Sequence, residues 1–184
     1  GGGSSDAATT LLALNRLWQL GLTRSELMAL ATPLGADVPF FLCGANAWVE
    51  GIGEQLTALT GTASVPQQRF VVLKPTAGLQ TPAIFSRLSA LDYFGNATIS
   101  GFAADHFGFG RNDLQSIAEV LCPDISQALL WLESLGLHGR MTGSGSAVFA
   151  ALPHDVELPA PPGAWQLKVC DNLMVHPLAG WASG

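Results

Sequence analysis

The chain has 184 residues, 48% of them hydrophobic and 12% charged, with a formal net charge of −6 at pH 7. That apolar content can bury a core in one domain or two small ones, while the acidic balance and the scattered Lys and Arg exclude a nucleic-acid face. No apolar run reaches the ~18 residues of a transmembrane helix and no signal-peptide pattern leads the chain, so neither nucleic acid nor a membrane is an expected partner and the cytoplasm is the expected location.

Gly1-Gly2-Gly3-Ser4-Ser5-Asp6-Ala7-Ala8 opens the chain. Glycine lets another group approach the main chain closely. A glycine loop feeding a helix start presents unpaired N–H groups and the positive end of the helix dipole, an anion site most often used for phosphate. Ser4 and Ser5 suit the N-cap, with hydroxyls placed to reach a phosphate oxygen or its metal ion. On these residues alone a flexible linker reads as well. Residues 7–20 follow as a helix with Ala8, Leu11, Leu12, Leu14 and Trp18 on its apolar face, and Gly21 is placed to end it. Thr23-Arg24-Ser25-Glu26 has capping-box spacing, which predicts a second helix to about Ala31, stopped by Pro33.

Asp37 is a lone carboxylate in the apolar stretch 34–42, with Pro39 placed to begin a helical turn. Such an Asp is ordinarily an N-cap; the functional reading is a general base in a partly desolvated cleft. Residues 47–50 read as a strand and 51–54 as the turn after it. The polar connection 61–68 is the candidate domain boundary. Residues 70–74 form a buried-type strand. Thr81 at N-cap and Pro82 at the first helical position open a helix through Phe85. Residues 91–110 are glycine-rich and aromatic, and are expected to be irregular. Asn112-Asp113-Leu114 leads into a helix, and 124–135 gives another with Leu129, Leu130, Leu132 and Leu135 on one face, ended by Gly136. A second glycine cluster, 139–146, runs straight into the buried strand 147–151. It reads either as a tight connection or as a backbone wall against a ligand. Residues 153–163 are a proline-rich surface loop. Short strands are expected at 165–169 and 173–175, paired antiparallel. Cys43, Cys122 and Cys170 are far apart with no CxxC pair, the pattern of reduced thiols rather than of disulfides or a zinc site.

Three stretches now stand in one order: GGGSSDAA at 1–8, LGADVPFFL at 34–42 and RMTGSGSAVFA at 140–150. Together they resemble the GHMP kinase superfamily. Gly51-Ile52-Gly53-Glu54, Thr81-Pro82-Ala83-Ile84-Phe85, Asn112-Asp113-Leu114 and His176-Pro177-Leu178 look like the member that phosphorylates a cytidine diphosphate alcohol rather than its homoserine, mevalonate or galactose relatives.

The resemblance implies an α+β, two-domain fold. Residues 1–62 would be the remainder of an ATP-binding domain resembling the ribosomal-protein S5-like fold. Residues 63–184 would be a ferredoxin-like C-terminal domain. It implies ATP as co-substrate with Mg²⁺ as its companion, a small-molecule cytidine diphosphate substrate, and phosphoryl transfer to an alcohol group in isoprenoid precursor biosynthesis. By the family pattern Gly1, Gly2, Gly3, Ser4 and Ser5 belong to the ATP phosphate loop, and Gly143, Ser144, Gly145 and Ser146 form a third motif near the reacting phosphate. Asp37 matches the catalytic aspartate. Thr81 and Phe85 match the substrate side, with Phe85 stacking on cytosine. No carboxylate here matches a metal ligand. Asp6 stands where some members have Asn. The family's catalytic lysine, a histidine and a tyrosine that help hold cytosine, and the first half of the phosphate loop would precede Gly1, so the chain reads as an N-terminally truncated fragment of such a kinase. The other readings open at this point are a different small-molecule GHMP kinase and a non-catalytic nucleotide-binding module.

Overall fold

The structure, a computed structural model, describes residues 1–88 and 97–183. The chain forms two compact units. The first comprises Gly1–Val65 together with the segment from Leu173 onward, and the second is Pro66–Asn172.

The first unit holds α1 (Gly2–Leu17), α2 (Arg24–Ala31), α3 (Val38–Cys43) and a hairpin of β1 (Ala47–Glu50) and β2 (Gln55–Ala58). Its core is Ala8 and Leu12 of α1, Leu27 and Ala31 of α2, and Val38 and Leu42 of α3. The spacing of four within each helix puts each pair on one face. Burying each Leu contributes about 1.5–3 kcal/mol.

α1 differs at both ends from the sequence reading. It begins at Gly2, not Ala7, so the glycine run is its first turn and Gly1, not Ser4 or Ser5, is the N-cap. It ends at Leu17, because Gln19 adopts φ +53° and the chain closes with a bond from the Gln19 N–H to the Arg16 carbonyl (3.3 Å) and one from the Leu20 N–H to the Asn15 carbonyl (3.0 Å). That pair of bonds is a Schellman closure with glutamine in the left-handed position. Trp18, expected on the buried face, is 61% exposed. Ala8 and Leu12 of the expected face are buried, with Leu11 packed against that core, and Asn15 is buried beside them. Asn15 closes the turn to α2 by donating to the Leu22 carbonyl and accepting from the Leu22 N–H, each at 3.0 Å.

α2 carries the expected capping box, with the Glu26 carboxylate 2.8 Å from the Thr23 N–H. That N–H, and then the Thr23 hydroxyl, hold the Glu26 carboxyl below the usual carboxylate range. Pro33 falls in a single 3₁₀ turn, Thr32–Leu34.

The segment from Leu173 onward was read from sequence as part of the second domain, with a strand at 173–175. In the structure it forms one bridge, Ala45 to Val175, and is pinned to the first unit by Arg24. The Arg24 guanidinium donates to the Leu42, Ala179 and Ala182 carbonyls, and its main-chain N–H donates to Ser183 (2.8 Å). A cation serving carbonyls far apart in the chain leaves no local sequence signal.

The second unit is a four-stranded antiparallel sheet: β3 (Arg69–Lys74), β4 (Arg140–Met141), β5 (Val148–Ala151) and β6 (Gln166–Asp171) in the order β4-β5-β3-β6. In chain order that is second-third-first-fourth, the ferredoxin-like order; the proline-rich segment 153–163 stands where that fold ordinarily has its second crossover helix. Among the described residues, four helices lie between β3 and β4: α4 (Thr81–Phe85), α5 (Ile99–Ala104), α6 (Gln115–Leu121) and α7 (Pro123–Ser134). Val71, Leu73, Val148 and Ala150 face Ala118, Ile125, Ala128 and Leu132 in one core. The buried face of α7 is therefore Ile125, Ala128 and Leu132, while Leu130 of the expected face is 63% exposed.

Part of the expected irregular stretch 91–110 lies outside the described residues. Within the rest, α5 forms, because Thr98 caps it by accepting from the Gly101 N–H at 3.2 Å. The expected pairing of 165–169 with 173–175 does not occur; β6 pairs along its whole length with β3.

Candidate active site

In the first unit, Ser5 donates its N–H to Gly1 (2.9 Å), so the N–H groups of Gly2, Gly3 and Ser4 precede the first intrahelical bond of α1. They stand at the positive end of a 16-residue helix dipole. A Cβ added at Gly2 or Gly3 would meet nothing within 4 Å, so the glycines leave the backbone open to an approaching group. Neither has positive φ; here glycine supplies access, not an unusual turn. A Cβ at Gly1 would lie 3.3 Å from the Phe41 ring. Phe41 is on α3, one turn beyond Asp37, so the glycine run and the helix that Asp37 begins are neighbours.

Asp37 occupies the N-cap position of α3 but makes no side-chain capping bond, and its backbone is helical (φ −85°, ψ −11°). It is exposed, not partly buried as the sequence reading had it. The ordinary role of an N-cap aspartate is thus unfilled, and the carboxylate stands free at the start of an apolar helix.

In the second unit, Thr81 and Ser144 come together, their hydroxyl oxygens 2.8 Å apart. Thr81 is the first residue of α4, with Gln80 at N-cap in its place. Phe85 lies four residues on, on the same face as Thr81. It is 55% exposed while its neighbour Ile84 is fully buried, so Ile84, not Phe85, anchors α4 to the core.

The glycine cluster between β4 and β5 turns at Gly143 (φ +55°) and Gly145 (φ +82°). A side chain at Gly145 would press on the Met141 sulfur at 2.8 Å. Ser146 is buried and fully employed: it accepts from the Lys74 ammonium at 2.7 Å and donates to the Ala77 carbonyl at 2.6 Å. Asn112 donates to the Met141 and Gly143 carbonyls at 2.9 and 2.7 Å. Lys74, Asn112 and Ser146 thus hold the cluster from three places in the chain. The sequence marked Asn112 only as part of a family-like run, and gave no signal for Lys74.

Among the described residues no group of three or more His, Cys, Asp or Glu converges in a way that could hold a metal ion. No described helix is long and apolar enough to cross a membrane.

The GHMP kinases N-terminal domain family matches residues 1–45, and the GHMP kinases C-terminal family matches residues 90–159. The chain is 61% identical over 181 residues to a 4-diphosphocytidyl-2-C-methyl-D-erythritol kinase of Delftia acidovorans, covering 98% of this chain and 63% of the relative. It is 61% identical over 183 residues to the kinase of the same name from Paracidovorax citrulli, covering 100% of this chain and 64% of that one. A crystal structure titled 4-(cytidine 5′-diphospho)-2C-methyl-D-erythritol kinase superposes with a TM-score of 0.67 at 36% identity, over 82% of this chain and 56% of the other. The chain therefore spans slightly under two thirds of these relatives' length. With the N-terminal family on the glycine run and Asp37, and the C-terminal family on α6, α7 and the second glycine cluster, the chain belongs to the GHMP kinases.

Proposed function

We propose that the protein, in its full-length form, transfers the γ-phosphate of ATP to the 2-hydroxyl of 4-diphosphocytidyl-2-C-methyl-D-erythritol, a step of isoprenoid precursor biosynthesis. The observation that carries the reading is 61% identity along nearly the whole chain to kinases of that name. It is supported by a free carboxylate at Asp37 and an exposed aromatic at Phe85.

Phosphoryl transfer asks for positioning and charge neutralisation more than covalent chemistry. The Gly2, Gly3 and Ser4 N–H groups and the α1 dipole receive the ATP phosphates. The second glycine cluster adds Gly143, Ser144 and Gly145. Asp37 accepts or orients the proton of the substrate hydroxyl as its oxygen bonds to the γ-phosphorus and the bond to the bridging oxygen breaks, releasing ADP. Phe85 offers its ring to the cytosine base, and Thr81 its hydroxyl to the same substrate. Mg²⁺ travels with ATP in this reading.

Phe85→Ala tests the substrate assignment. Stacking of a base on an aromatic ring is worth ~1–3 kcal/mol, so kcat/KM for the cytidine substrate is expected to fall roughly five- to 150-fold, with the KM for ATP unchanged. Because Phe85 is 55% exposed, the melting temperature is expected to hold. Unchanged cytidine-substrate kinetics in the folded variant would remove the stacking role and return the substrate to another GHMP class.

Gly3→Val tests the phosphate role of the first turn. Since a Cβ there meets nothing within 4 Å, the fold is expected to survive. Bulk where phosphate must touch the backbone is expected to weaken ATP binding, read by calorimetry. Unchanged affinity would leave the glycine run as an ordinary helix start.

A further inference from the structure

The run Asn112-Asp113-Leu114 has no part in the mechanism above, yet the Asn112 side chain uses its whole amide. Its Oδ1 accepts from the Leu114 N–H at 3.0 Å, turning the chain into α6. Its Nδ2 donates to two main-chain carbonyls of the second glycine cluster, Met141 at 2.9 Å and Gly143 at 2.7 Å. One helical turn on, Gln115 Oε1 accepts from the Met141 N–H at 2.9 Å. Both polar groups of the Met141 main chain are thus held by side chains from the start of α6.

The consequence lies in the next peptide unit. In a trans peptide the C=O of one residue and the N–H of the next point in opposite directions. Holding the Met141 carbonyl aims the Thr142 N–H the other way, where it bonds the Ala147 carbonyl at 3.0 Å. Holding the Gly143 carbonyl likewise aims the Ser144 N–H away from Asn112. That N–H has no acceptor among the described residues, whereas the Ser144 hydroxyl meets Thr81. A glycine at φ +55° has wide backbone freedom, so without an anchor this peptide could turn over.

We propose that Asn112 is a positioning residue whose amide fixes the direction of the Ser144 N–H, the donor that the second glycine cluster offers to the phosphate chain of ATP. The proposal rests on the kinase reading above. It explains the residue type: an amide alone combines one acceptor for the helix with two donors for two carbonyls.

Two variants of the full-length protein test it. Asn112→Asp keeps the acceptor for the Leu114 N–H but turns a carboxylate on two carbonyls. Asn112→Ser keeps a hydroxyl at the helix start, is too short for both carbonyls and introduces no charge. Each loses two hydrogen bonds to the cluster, so the KM for ATP is expected to rise about tenfold or more. The KM for the cytidine substrate is expected to stay within about twofold. Deuterium exchange is expected to quicken at 142–146 with the rest of the second unit unchanged. An unchanged KM for ATP in folded Asn112→Ser, with unchanged exchange at 142–146, would overturn the proposal. So would a lower melting temperature with wild-type kinetics in the folded fraction, which makes Asn112 a helix cap only. If the wild-type protein transfers no phosphate at all, the kinase reading fails instead, and exchange at 142–146 still decides whether Asn112 holds the cluster.

Discussion

Asp37→Asn is expected to lower phosphoryl transfer by ~10²–10⁴-fold, the contribution of a positioned base, or about 3–5 kcal/mol. The amide matches the carboxylate in shape but cannot take a proton. ATP affinity is expected to stay near wild type, because in the proposed reading main-chain N–H groups of α1, and not Asp37, receive the nucleotide phosphates. Stability is also expected to stay near wild type. Asp37 sits at N-cap but makes no capping bond, so nothing in α3 depends on it. Asparagine is itself a good N-cap residue. Turnover and nucleotide affinity measured on one preparation separate the outcomes. Near-normal turnover would remove Asp37 from the chemistry.

Gly53→Ala is expected to cost about 2–4 kcal/mol of stability, from a steric clash added to an unfavourable backbone angle. Gly53 has φ +120°, and a Cβ there would overlap the Ala36 carbonyl oxygen and lie 2.9 Å from its carbon. Neither atom belongs to a flexible side chain, so backbone must move. Ala36 directly precedes Asp37, and the displaced segment is the one that presents the carboxylate. The variant is therefore expected to lose turnover as well as melting temperature. Gly51→Ala is the control. Its Cβ would meet the Glu54 carboxylate, the end of a flexible side chain, although φ +69° still disfavours it. The expected order of melting temperatures is wild type, then Gly51→Ala, then Gly53→Ala. A Gly53→Ala protein as stable as wild type would show that the hairpin turn does not support the Asp37 segment.

The turn also shows what the sequence could and could not tell. The Glu54 carboxylate accepts the Ile52 N–H at 2.8 Å, two residues back in the same turn. Its own N–H, the Ile52 N–H and the Gln55 amide hold its carboxyl below the usual carboxylate range. Local rules of that reach were legible: the capping box at Thr23 and Glu26, the strand at Ala47–Glu50, and the stop at Gly136, which adopts φ +74°. Periodicity located α7 and most of its packed face, since Leu132 is buried, with Leu129 and Leu135 packed against the core, but it could not tell that Leu130 faces out, because Leu130 is as apolar as Leu132.

Signals carried by distant main chain were out of reach. Arg24 holding Ala179, and Lys74 holding Ser146, join residues with no pattern between them. That the glycine run is the first turn of α1 was not legible, because propensity rules place glycine outside helices. Residue spacing does not show which side chain anchors α4; in the structure Ile84 is fully buried and Phe85 is 55% exposed.

The kinase reading is tested most directly by incubating the full-length protein with ATP, Mg²⁺ and 4-diphosphocytidyl-2-C-methyl-D-erythritol and following the phosphorus resonances. The expected result is a new phosphomonoester signal on the cytidine substrate, growing in step with ADP and absent in Asp37→Asn. An unchanged substrate spectrum while ATP is bound, with phosphate appearing on homoserine, mevalonate or galactose in parallel incubations, would contradict it.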